Sequence, residues 1–215
     1  MISNFWMGHG QPVYKKNNLI YVSTPKCAST LYCNVAEYNS WEKINFNDIN
    51  WSLDHVFGFI MDPVELYLKG LAEDLDTDKH MELFKELFEM NLDRNRNITL
   101  LTAHSILISN RYQEYRHKID WIPINSKPNT EFFFKKLCNK HGIDVEISNT
   151  MSRHTSTQSK LERYQELKNM FGNFNETFYK IFSTDIDFYH TVHTNFNPNG
   201  QSWDEISWLK NYVAR

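Results

Sequence analysis

Two short apolar runs, each closed by a proline and each followed at once by a segment of helical spacing, constrain this chain most. The first, Asn18–Thr24, carries Leu-Ile-Tyr-Val at its centre and stops at Pro25. The second, His55–Met61, reads His-Val-Phe-Gly-Phe-Ile-Met and stops just before Pro63. Runs this short and continuous fit buried strands. Ser29–Tyr38 follows the first run with Leu31, Val35 and Tyr38 on one face, and Val64–Leu75 follows the second with helical spacing. Strands alternating with helices predict an α/β fold, a central parallel sheet flanked by helices. Ligands of such sheets bind beyond the C-terminal ends of strands, where Pro25 and Asp62 fall.

The rest of the chain continues the pattern. Asn39–Asp54 is polar and rich in asparagine and reads as a loop or a weak strand. Lys79–Leu92 and Thr99–Arg116 read as helices, and Ile119–Ile124 as a third strand interrupted by Pro123. Asn129–His141 opens on capping residues and closes at His141-Gly142, which marks another helix. Asn149–Lys160 is rich in serine and threonine and reads as loop. Leu161–Phe188 then reads as one or two helices, and His190–Arg215 as a polar tail. With no internal repeat or interdomain linker, residues 1–215 are expected to form a single domain.

Composition excludes several classes of function. The formal net charge is −3, so a general nucleic-acid binder is disfavoured and an anionic ligand needs a local positive pocket. Aromatic residues make up 15% of the chain, which argues against extended disorder. The three cysteines, Cys27, Cys33 and Cys138, form neither a disulfide framework nor a CxxC pattern and suit a reducing compartment. Met1–Gln11 has no sustained apolar core, and no run approaches the roughly 20 apolar residues of a membrane span. The expectation is a soluble, cytoplasmic protein with no membrane partner. Nothing in the sequence indicates an oligomeric state.

The most informative unit is Thr24-Pro25-Lys26-Cys27-Ala28-Ser29-Thr30, which leaves a strand and opens a helix. A helix N-terminus offers unpaired N–H groups and partial positive charge, a combination that favours phosphate. Lys26 adds a full charge, the hydroxyls of Ser29 and Thr30 add donors, and the small Ala28 lets backbone approach closely. The same residues also fit an ordinary strand–helix turn capped by Ser29 or Thr30. The lysine precedes the small residues and glycine is absent, so this is not a Walker A loop. Cys27, at a helix start, is a candidate for a lowered thiol pKa.

Pro25-Lys26-Cys27-Ala28-Ser29-Thr30 resembles the 5′-phosphosulfate loop of sulfotransferases that use 3′-phosphoadenosine 5′-phosphosulfate (PAPS), usually Pro-Lys-x-Gly-(Ser/Thr)-(Ser/Thr). Ala28 stands where glycine is usual. Asp62-Pro63-Val64-Glu65 resembles the start of the family's 3′-phosphate segment, typically Arg-Asp-Pro-x-Glu-Arg-x-x-Ser. There the arginine falls on Met61 and the serine on Lys69, a point charge without arginine's planar fork. Ile119–Pro123, Asn149 and Tyr179–Tyr189 resemble later segments more loosely.

The resemblance implies a P-loop-like sulfotransferase fold, PAPS as donor with PAP as product, and a hydroxyl acceptor on a carbohydrate. It implies cofactor contacts at Pro25, Lys26, Cys27, Ala28, Ser29, Thr30, Lys69 and Arg153, the last in a loop with His154, Ser156 and Lys160. Lys26 would stabilise charge on the leaving nucleotide. A base is also needed, and histidine suits it: His55 is the first candidate, then His104, with Glu37 a third. Each of these fits a plain structural role as well. A non-catalytic nucleotide-binding or interaction protein on the same fold is the alternative, and Met61 favours it. An ATP phosphotransferase is disfavoured for want of a Walker A sequence. His190-Thr191-Val192-His193 lacks a third metal ligand, and the chemistry needs no metal.

Overall fold

Val13–Lys16 and Leu19–Val22 form a hairpin, β1 and β2, around Asn17-Asn18, with Lys16 opposite Leu19. Asn17 takes a left-handed conformation, φ 54°, which asparagine tolerates better than most residues. β1 also pairs antiparallel with β3, Glu42–Ile44. β2 pairs in parallel with β4, His55–Ile60, and β4 in parallel with β5, Asp120–Pro123. The computed structural model describes residues 11–75, 78–93, 112–124, 127–148, 158–172 and 175–195. Among them the sheet has five strands in the order β3-β1-β2-β4-β5. It is therefore mixed rather than wholly parallel, because the hairpin at Asn17-Asn18 inserts β1 in reverse.

Six helices accompany the sheet among the described residues. These are α1 (Ser29–Tyr38), α2 (Pro63–Asp74), α3 (Asp78–Asp93), α4 (Lys127–Lys140), α5 (Gln158–Gly172) and α6 (Asn175–Asn195). Two expectations change. Gln158–Lys160, read as loop, already belongs to α5, and His190–Asn195, read as tail, completes α6. Of the helix expected over Thr99–Arg116, residues 99–111 lie outside the described set, and Gln113–Lys118 form a 3-10 turn. No helix among the described residues is long and apolar enough to cross a membrane.

Both sheet faces are covered, and the alternation of strand side chains sorts the core in two. Tyr21, Phe57, Phe59 and Ile122 meet Tyr32 and Val35 of α1 and Phe134 and Cys138 of α4. Tyr32 stacks on Phe59 with ring centroids 4.2 Å apart. On the other face Ile20, Val22, Val56, Ile60 and Trp121 meet Tyr112 and α6 through Phe188 and Tyr189. The Trp121 ring crosses directly over Gly58, where a Cβ would stand 2.7 Å from Trp121 Cζ3 and 3.0 Å from Val22 Cγ2. That is why β4 carries a glycine at its centre.

Connectivity places the site. β3 runs in the direction of β2, since both oppose β1. The chain leaving β2 through α1 thus turns to one side of the sheet, and the chain leaving β4 through α2 turns to the other, towards β5. The divergence opens at the C-terminal ends of β2 and β4, the position where open α/β sheets hold ligands.

Candidate functional site

Beyond Val22, the side chains of Ser23 and Thr24 are buried, each 1% exposed. The Thr24 carbonyl accepts from the Cys27 amide at 3.1 Å, which closes the turn. Within it Lys26 (φ 62°) and Ala28 (φ 55°) are left-handed and Cys27 between them is not. Such alternation turns successive N–H groups towards one concavity, an arrangement that receives anions. Each left-handed non-glycine residue costs about 1–2 kcal/mol. Cys27 offsets this by anchoring the turn, its side chain fully buried in the core.

α1 begins with Ala28 as its cap and has no side-chain capping hydrogen bond. The reading of Ser29 or Thr30 as the cap therefore does not hold. The first helical bond runs from Tyr32 N–H to the Ala28 carbonyl at 3.2 Å, so the amides of Ser29, Thr30 and Leu31 precede the ladder and point outward from the helix end. Ser29 is half-buried and Thr30 exposed, whereas Pro25 is buried and shapes the turn from within. Thr24 Oγ1 is buried with no hydrogen-bond partner among the described residues, a state that polar groups in folded chains seldom occupy. Full burial of Cys27 also removes it as an accessible thiol.

Lys26 reaches α2 and forms an ion pair with Glu73. Lys160, in the first turn of α5, approaches the same carboxylate oxygen at 3.3 Å. Desolvation pushes the Glu73 carboxyl up, but Lys26 and then Lys160 outweigh it and hold the group below its ordinary value. Glu65, Lys69 and Glu73 repeat every four residues along α2 and so share a face. Glu65 accepts from Tyr164 Oη at 2.5 Å and Lys168 Nζ at 3.2 Å. The α2–α5 seam beside the turn therefore brings Lys26, Lys69, Lys160 and Lys168 against Glu65 and Glu73.

The second motif has a plain local role. Asp62 Oδ1 accepts from the amides of Val64 (2.9 Å) and Glu65 (3.1 Å), and Pro63 occupies the first helical position. This is a capped helix start. Lys69 Nζ lies 3.7 Å from Met61 Sδ. The ammonium thus stands beside the position where the resemblance puts an arginine.

The structure does not bring His55 to this site. It opens β4 beside Leu19, the first residue of β2, whereas Lys26 follows the last. The five steps of β4 from His55 to Ile60 span roughly 17 Å at about 3.3 Å per residue. His55 Nε2 instead sits 2.8 Å from Asp120 Oδ2, with its ring centroid 4.8 Å from that of His141. The hydrogen-bonding contact with His55 holds the Asp120 carboxyl below its usual range. Burial lowers His141, and the charges of His55 and Lys140 lower it further.

Glu37, in the third turn of α1, is also held elsewhere, accepting from Tyr14 Oη at 2.5 Å. Burial, then this bond, pushes the Tyr14 phenol up. His104, Arg153, His154 and Ser156 lie outside the described residues. Sequence reasoning missed the pairing of Lys26 with Glu73; the four-residue spacing of Glu65, Lys69 and Glu73 was the available signal. Among the described residues no cluster of three or more His, Cys, Asp or Glu could hold a metal ion. Compared with known proteins, the chain matches no family model, no curated protein and no solved structure.

Proposed function

We propose that this chain binds PAPS at the Pro25–Thr30 turn and transfers its sulfuryl group to a hydroxyl acceptor, with a carbohydrate as the acceptor class. The observation that carries the reading is the turn itself: left-handed Lys26 and Ala28 run into an uncapped α1 at the C-terminal end of β2. The glycine of the resembled motif falls on Ala28, the residue whose φ of 55° favours glycine. The amides of Ala28, Ser29 and Thr30 serve as donors to a 5′-phosphosulfate, and buried Thr24 Oγ1 lies at the base of the same turn. Lys69, beside Met61, is the cation nearest the motif position of the 3′-phosphate arginine.

In this reading the donor supplies an electrophilic sulfur. The acceptor oxygen bonds to that sulfur as the bond to the leaving phosphate oxygen breaks. Lys26 neutralises the charge that develops on the leaving oxygen, a contribution of position and charge rather than covalent chemistry. To do so it exchanges the Glu73 carboxylate for the ligand. The acceptor proton passes to a base, for which the resemblance offers His104.

The test is calorimetric titration of PAP into the wild type and Lys26→Ala. Micromolar binding, weakened about tenfold to a hundredfold in the variant, is the expected result, since a charge-assisted bond contributes about 1.5–3 kcal/mol. No binding to the wild type refutes the proposal. The second reading, nucleotide binding without turnover, is favoured by Met61 and by the internal pairing of Lys26 with Glu73. PAP binding with no transfer from PAPS to any acceptor supports it.

A further inference from the structure

The end of the sheet opposite the turn carries a group of titratable side chains that the proposed chemistry does not use. The β1–β2 hairpin brings Asn18 there, β4 opens with His55, β5 opens with Asp120, and His141 follows the last residue of α4. The His55 and His141 rings meet edge to face with centroids 4.8 Å apart. His55 Nε2 has a carboxylate oxygen, Asp120 Oδ2, at 2.8 Å. His141 Nδ1 instead lies 3.1 Å from Asn18 Oδ1, a neutral acceptor. With that acceptor the neutral ring keeps its proton on Nδ1 and leaves Nε2 bare. His141 Nε2 is buried with no hydrogen-bond partner among the described residues. A bare ring nitrogen is tolerated there, whereas a second N–H would be a buried donor without an acceptor, which folded chains avoid.

The charges around His141 come from every neighbouring element. Lys140 precedes it on α4, His55 faces it from β4, and Asp120 on β5 is engaged by His55. Lys15 on β1 and Asp54 before β4 pair with each other at 2.9 Å. Arg116, His117 and Lys136 line the hollow beside His55; there Arg116 Nε donates to His117 Nε2 and Lys136 lies over the Phe132 ring. Asp120 and the partial negative charge at the α4 C-terminus favour a cation at His141. Burial opposes it, followed by the charges of His55 and Lys140, and the balance holds His141 below its ordinary value. The corner itself is small. The amides of His141 and Ile143 bond the Cys138 carbonyl and that of Gly142 bonds Asn139, all at 2.9–3.0 Å. Gly142 takes φ 67°, the left-handed helix end that glycine favours. Farther on, Asn39 clasps the Glu146 backbone from both sides at 2.9 and 3.0 Å, so the chain is anchored again just beyond the corner.

We propose that His141 is an acid-sensitive latch: its protonation beside His55 releases the end of α4 from the β1–β2 hairpin, while the sheet and the Asn39–Glu146 anchor stay closed. A group held low in the folded chain contributes stability that is complete above its unfolded value, about pH 6.5, and lost as pH falls through the folded one. The latch therefore holds at neutral pH and opens in mild acid. It lies at the far end of the sheet from the Pro25–Thr30 turn and stands whether or not that turn binds a nucleotide.

The test is hydrogen exchange of the native full chain at about pH 7.5 and about pH 5, read as protection factors, together with a histidine titration by NMR. Protection at His141, Gly142 and Ile143 should fall about fivefold to thirtyfold between the two conditions, while Glu146 and the β2 and β4 amides change by less than about twofold. His141→Asn, whose side-chain amide replaces the Nδ1 donor, should abolish the drop. His55→Gln removes the neighbouring charge and should raise the His141 titration midpoint towards about 6.5. Unchanged protection at the corner overturns the proposal, as does a loss of protection shared equally by all amides. So does a drop that persists in His141→Asn, or a wild-type His141 midpoint at or above about 6.5. The wild-type exchange and titration decide the matter even if a variant fails to fold.

Discussion

Replacing Ala28 by glycine should stabilise the protein, against the usual effect of adding a glycine. Ala28 caps α1 at φ 55°, ψ 24°, where an L-residue costs about 1–2 kcal/mol. Glycine removes that strain but loses about 0.5–1 kcal/mol through its freer unfolded chain. It also gives up a half-buried methyl packed on the core, about half of the roughly 0.8 kcal/mol of a fully buried carbon. At their midpoints the terms give a net gain of about 0.4 kcal/mol. For a chain of this size that raises the thermal midpoint by about 1–2 °C. Urea unfolding followed by far-UV circular dichroism reads the change directly. Ala28→Val, which forces a β-branched residue into the same backbone, should move stability the other way by more than about 1 kcal/mol. Equal or lower stability for Ala28→Gly would refute the argument that strain is stored at this turn, and a silent Ala28→Val would do so independently.

Three further outcomes are expected. Gly58→Ala drives a Cβ to 2.7 Å from Trp121 Cζ3 and should cost about 1–3 kcal/mol by overpacking; a neutral result in urea unfolding would mean that β5 is not held where described. Glu73→Gln removes the carboxylate shared by Lys26 and Lys160 and should tighten PAP about twofold to fivefold, the scale of a released surface ion pair. Unchanged calorimetric affinity would show that Lys26 does not meet the ligand. At Glu65 burial raises the carboxyl, but Tyr164 and Lys168 outweigh it and hold it low. Its contribution is therefore complete above about pH 4.3 and is lost as pH falls through the lower folded-state value. Glu65→Gln should lower stability at neutral pH and flatten the pH dependence of unfolding below about pH 4.5; parallel slopes for the two proteins would refute it.

What was legible in the sequence followed local rules. Leu19–Val22 and His55–Ile60 are nearly unbroken apolar runs, and Pro25 and Pro63 mark where each gives way to a helix. β1 and β3 carried no such signal. Val13-Tyr14-Lys15-Lys16 and Glu42-Lys43-Ile44 are short and partly charged, and they become strands by pairing with each other and with β2. The strand–turn–helix corner was legible through Pro25 and the small residues after it, although its left-handed backbone at Lys26 and Ala28 was not. His55 misled because pattern locates a residue on a strand without weighing the strand's polarity. The residue that opens β4 and the turn that follows β2 lie at opposite ends of a parallel pair. The meeting of Lys26 with Glu73 spans 47 residues and depends on how α2 packs beside the turn, which no local spacing reports.

The burial of Cys27 between two left-handed residues makes its thiol a clock. A thiol reagent reaches the sulfur only when the Thr24–Ala28 turn lifts from the core, so the rate of modification measures the free energy of that opening. A ligand that docks on the closed turn slows the reaction by mass action, in proportion to its occupancy. A ligand that required the turn to reshape itself would instead speed the reaction as it bound. The geometry of one buried sulfur thus separates a preformed cradle from an adaptive one, with no need to know the acceptor.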